Sequence, residues 1–160
     1  MTTKRCIFIG YDRSVDPRQR LERTRKHMAI LLGMPYADFQ AGYAWMNLYG
    51  ENAAPEKGNV LEDARHAHTL IENELGGYER AVLLGNDVAA AFHCCDQERY
   101  RWEQLDDAHD LQVARIPHTS LRNWNHSDRW GRGRGPWVEE AQEFLDDLRR
   151  YAAGVSTGTR

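Results

Sequence analysis

The chain lacks the cysteine spacings that hold a metal cluster or a disulfide framework. It has three cysteines, Cys6, Cys94 and Cys95, of which two are adjacent and none forms a CxxC pair. That pattern argues against a zinc ribbon, an iron–sulfur site and a stapled secreted scaffold. Cys6 lies in an apolar run and reads as a small buried hydrophobe. No apolar stretch approaches the ~20 residues that a membrane span needs. The run Cys6-Ile7-Phe8-Ile9 is too short for the core of a signal peptide. No membrane partner is expected, and a reducing, cytoplasmic setting is. An excess of one charge sign is also missing: 21 Lys+Arg stand against 24 Asp+Glu, a net charge of -3. Nothing pulls the whole surface toward nucleic acid, so any polyanion site must be a local basic patch.

What is present fits one domain. The chain has 160 residues, 41% hydrophobic and 28% charged, enough for one layered core under a well-solvated surface. We expect a single domain over residues 1–153 and a frayed tail over 154–160. Short apolar runs stopped by glycine or polar residues read as strands at 6–9, 43–48, 81–84 and 112–116. Between and after them, apolar spacing supports helices at 18–32, 60–75, 87–92 and 137–151. Residues 100–110 fit neither pattern. Strand and helix thus alternate, which predicts an α/β fold: three layers, α/β/α, around a mostly parallel four-stranded sheet.

A parallel sheet gathers its strand C-terminal ends on one edge, where open α/β folds bind ligands. Four polar stations would meet there: Gly10-Tyr11-Asp12, Asn47, Gly85-Asn86 and Pro117-His118-Thr119-Ser120. The last opens the densest polar segment, which continues through Arg122, Asn123 and Asn125. His118 can donate, accept or carry charge near neutral pH.

These stations resemble the motifs of the uracil-DNA glycosylase superfamily. In that family the first strand ends in Gly-x-Asp/Asn-Pro, and here the run is Gly10-Tyr11-Asp12-Arg13. The second ends in an Asn that reads the extruded base, the place of Asn47 in YAWMNL. The third leads into a small-residue helix, here Val88 to Ala91 after VLLG. The fourth ends in His-Pro-Ser and a loop that enters DNA, here His118-Thr119-Ser120-Leu121 and then Arg122-Asn123-Trp124-Asn125. The resemblance implies base recognition in DNA, single-stranded or base-flipped, and cleavage of an N-glycosidic bond. It implies no cofactor. Arg13 and Thr119 stand where the family has prolines.

The chemistry asks for charge and position. As the bond breaks, positive charge builds on the sugar and negative charge on the departing base. Asp12 is placed to orient water and His118 to hydrogen-bond the base oxygen. Gly10, Tyr11, Asn47, Ser120 and Asn123 are the candidate substrate-binding residues, since an amide offers donor and acceptor in one plane. Tyr11, Tyr43, Trp45 and Trp124 are candidate aromatic walls, and Trp45 equally fits a core position. Residues 122–137 combine Arg122, Arg129, Arg132 and Arg134 with Trp124, Trp130 and Trp137, against one acid, Asp128. The arginines suit phosphate, and Trp124 and Trp130 suit stacking on unpaired bases; Trp137 begins the closing helix and reads as core. His118 and His126 have no third partner for a metal, and His66 and His68, two apart on a helix, face different ways. Two alternatives remain beside the glycosylase: a module that keeps the base pocket without hydrolysis, favoured by Arg13 and Thr119, and a small α/β enzyme of free nucleotides or nucleosides.

Overall fold

The computed structural model describes residues 5–11, 17–50, 59–117 and 136–151. Strand β1 (Cys6–Gly10) is buried along its whole length. Helix α1 (Pro17–Leu32) follows, then α2 (Tyr36–Gly42), β2 (Ala44–Asn47), α3 (Val60–Asn73), β3 (Arg80–Leu84), α4 (Asn86–Ala91), β4 (Glu103–Asp106), β5 (His109–Ile116) and α5 (Pro136–Arg150). The sheet runs β2-β1-β3-β5-β4. All neighbours are parallel except β4 with β5.

The two faces of the sheet divide the core in two. Ile7, Ile9, Ala81, Leu83 and Val113 pack with Ala67 and Leu70 of α3 and with Val88 and Ala91 of α4. Cys6, Phe8, Val82, Leu84 and Ala114 pack with Met28 and Leu32 of α1, Phe39 of α2, and Phe144 and Leu148 of α5. Alternate residues of each strand feed opposite layers, as the pleat requires. The expected three-layer, mostly parallel architecture is therefore present, with one more strand than the sequence suggests.

The fifth strand is β4, in the stretch that showed no pattern. Its residues, Glu-Gln-Leu-Asp, are exposed except for a half-buried Leu105, so no apolar alternation marks them. Pairing with β5 makes the strand, and a tight turn at Asp107-Ala108 sets it: Asp106 Oδ1 accepts from the Ala108 N–H at 2.9 Å and meets His109 Nδ1 at 2.8 Å. The hairpin also extends β5 back to His109. Helix α2 was not foreseen either. Gly33, at φ +68°, closes α1, with Met34 N–H donating back to Ala29 O at 3.1 Å. The chain turns at Pro35 and inserts Phe39, 1% exposed, under the sheet. Phe39, Tyr43 and Trp45 all have ring centroids within 5.5 Å of Phe8.

Candidate functional site

The strand register lines up the ends of the parallel strands. Gly10 is level with Asn47, Ile9 with Leu83 and Leu84 with Ile116. At about 4.8 Å per strand, the ends of β1 and β5 lie roughly 10 Å apart, within reach of one base-sized ligand. Chain order turns back between β1 and β3, where doubly wound sheets open a crevice at this edge. Asp12, His118, Ser120, Arg122, Asn123, Trp124, Arg129, Trp130, Arg132 and Arg134 lie outside the described residues. Among the described residues the edge holds Gly10, Tyr11, Asn47, Asn86 and Arg115.

Gly10 and Asn47 are brought together, and Tyr11 is turned away from them. A Cβ on Gly10 would come within 3.0 Å of Asn47 Oδ1, and within 3.7 Å of Trp45 Nε1. Gly10, Trp45 and Asn47 thus share one corner on the α1 side of the sheet, beyond the stacked pair Phe8 and Trp45. Tyr11, one residue on, faces the α3 side. Its hydroxyl meets both Asp63 carboxylate oxygens, at 3.1 and 3.2 Å.

The two sides differ in how their polar groups are met. On the α3 side, Asp63 is 4% exposed and accepts from Tyr11 and from Tyr49. Burial, and then the bond to Asp63, push the Tyr49 hydroxyl above the ordinary phenol range. Tyr49 also packs edge-on to Tyr11 and lies 4.0 Å from the His66 ring, centroid to centroid. On the α1 side, Asn47 is 8% exposed, and its side-chain amide has no hydrogen-bond partner among the described residues. Trp45 Nε1 is sealed from water and has no partner among the described residues. The same holds for Arg25 Nε, which lies on α1 one turn before the buried Met28 and Ala29. Helix periodicity puts Arg25 on the sheet-facing side of α1. A buried donor left unpaired costs about 1–3 kcal/mol.

Of the candidate aromatic walls, Tyr43 is committed to the core. Its hydroxyl donates to Leu148 O at 2.6 Å, and burial raises it above the ordinary phenol range. Trp45 is both core and edge: its ring packs on Phe8 while its Nε1 borders the Gly10 corner. Sequence reasoning missed that N–H, because a tryptophan in a strand signals packing and not donor direction. It also missed Asp63, an acid in the first turn of α3 that reads as an ordinary helix-start charge. On the other flank, Arg115 donates through Nε to Gln97 O and sits 3.4 Å from Asn86 Oδ1. His66 and His68 do diverge: His66 packs at a tilt against Tyr49, and His68 lies 3.6 Å from Glu72.

A cleft of about 240 Å³ between residues 99–102 and α5 sets Arg99 and Arg101 against Glu143 and Asp147, which cancels any pull on a polyanion. No helix among the described residues is long and apolar enough to cross a membrane. No protein-family model matches the chain, and no curated protein matches it.

Proposed function

We propose that the chain recognises a nucleobase in DNA at the Gly10–Asn47 edge and acts at its N-glycosidic bond. The observation that carries this reading is Asn47: a nearly buried amide at a strand end, without a partner among the described residues, beside a glycine that leaves it room. An amide so placed pairs with the edge of a planar base that has left the stack. The level strand ends support it further, because the segments bearing Asp12 and His118 leave neighbouring points of one edge. In this reading Asp12 orients the water, His118 steadies charge on the departing base, and the Arg/Trp loop over 122–134 grips the strand.

The replacement of two family prolines by Arg13 and Thr119 favours a second reading, a module that binds the base without cleaving it. One experiment separates the two. The protein is incubated with oligonucleotides carrying uracil or a modified base, and abasic sites are detected by alkaline strand cleavage. Abasic sites formed by the wild type and lost in Asp12→Asn support the glycosylase. Binding without abasic sites supports the module. Absence of binding to any oligonucleotide overturns both.

A further inference from the structure

We propose that the cleft between residues 99–102 and α5 is a second binding site, one for a small zwitterion: an α-amino acid with an aromatic side chain. The cleft holds about 240 Å³, under the roughly 300–1,000 Å³ of drug-sized sites, so it suits a small molecule. It lies beside β5, whereas Asn47 stands on β2 at the far edge of the sheet. One wall is irregular chain that is pinned in place. Gln97 Nε2 donates to Arg101 O and to Val113 O, each at 2.9 Å, and the Tyr100 N–H donates to Arg115 O at 3.1 Å. Held so, Tyr100 takes φ +64°, the left-handed region that an aromatic residue rarely adopts. Backbone strain of this kind collects at ligand clamps, and here the strained residue lines the cleft.

The lining sets the chemistry of the ligand. Tyr100 and Trp102 stand against Phe144 of α5, with ring centroids 6.0 and 5.3 Å from it, and together they make an aromatic floor. Arg99 and Arg101 line the cleft from the pinned wall, Glu143 and Asp147 from α5. Asp147 is already engaged: its Oδ2 accepts from Arg80 at 3.2 Å and from Trp102 Nε1 at 3.3 Å. Glu143 has no hydrogen bond or ion pair among the described residues, so it is the carboxylate left for an ammonium group. Arg101 meets Glu98 at 2.7 Å in an exposed pair, and such a pair is weak enough to yield to a ligand carboxylate. A bare anion would face Glu143, and a bare cation would face both arginines. An α-amino acid carries both charges on one carbon, so each meets its opposite while the side chain covers the rings.

The test is a 15N–1H shift titration of the full chain, followed at the Trp102 indole N–H. The probes are L-phenylalanine, phenethylamine and 3-phenylpropionate; the last two keep the ring and one charge each. L-phenylalanine should bind about tenfold or more tighter than either analogue, the scale of one charged hydrogen bond. Glu143→Gln, at an exposed position, should weaken L-phenylalanine about tenfold and leave 3-phenylpropionate unchanged. Arg101→Gln, also exposed, should weaken L-phenylalanine and leave phenethylamine unchanged. Equal binding of the three probes, tighter binding of either analogue, or an L-phenylalanine affinity that Glu143→Gln does not alter overturns the zwitterion site. So does an indole signal that none of the three moves.

Discussion

The two sides of the β1–β2 edge are built from similar parts to opposite ends. Toward α3, Asp63 is buried with both carboxylate oxygens occupied by Tyr11 and Tyr49. Toward α1, a buried Asn47 stands beside a half-buried Trp45 whose sealed indole nitrogen has no partner among the described residues. A closed polar network holds chain in place, here tying the ends of β1 and β2 to α3. An open one costs the free protein stability, and in the proposed reading the base offsets that cost. Adjacent residues, Gly10 and Tyr11, thus serve different purposes because the pleat sends them to different faces.

That contrast breaks in a definite order. Asp63→Ala should have the largest effect on stability. It leaves two phenols without their acceptor, at about 1–3 kcal/mol for each that stays buried, measured as a fall in the urea midpoint at constant slope. Asn47→Ala should do the reverse, with stability within about 1 kcal/mol of wild type and oligonucleotide binding largely lost. Equal stability losses in the two variants would erase the distinction between the sides.

Gly10→Ala comes next. The added methyl would stand 3.0 Å from Asn47 Oδ1, so the amide must shift by a few tenths of an ångström. Binding should weaken about tenfold while stability changes by less than about 1 kcal/mol. Unaltered affinity would show that the amide position does not matter to the ligand.

The smallest effect belongs to the far end of the sheet. There Arg5 donates to Glu79 at 2.7 and 3.0 Å, and Tyr151 donates to Glu79 at 2.7 Å. The Arg5 bond, then that from Tyr151, lowers the Glu79 carboxyl from 4.5 to about 2. A carboxyl lowered on folding stabilises the protein above its unfolded value, and that contribution fades as pH falls from 4.5 toward 2. The pair is half exposed, so the contribution is about 1 kcal/mol or less and shrinks with salt. Glu79→Gln should flatten acid unfolding in that window and leave binding at the opposite edge untouched. A change in oligonucleotide affinity would mean that the two ends of the sheet are coupled.

The fold was legible where burial wrote an apolar pattern. CIFIG, RAVLL and the spacing of α3 announced themselves because each feeds a core layer. β4 did not, since EQLD is an edge strand made by its partner and by Asp106. α2 did not, since its seven residues hold one fully anchoring side chain, Phe39. At the site, Gly10 and Asn47 were legible as strand-end residues. Their contact was not, because it depends on the β1–β2 register. Tyr11 and Asp63 are 52 residues apart and meet only through the crossover of α3 over the sheet.

The most direct test is a 15N–1H spectrum of the full chain titrated with a single-stranded oligonucleotide carrying one 2′-fluoro-uridine. The account predicts that the largest shifts fall on Gly10, the Asn47 side-chain amide and the Trp45 indole N–H, with Arg5, Glu79 and Tyr151 at the opposite edge unmoved. Shifts centred on the opposite edge, or on the cleft between residues 99–102 and α5, would contradict it.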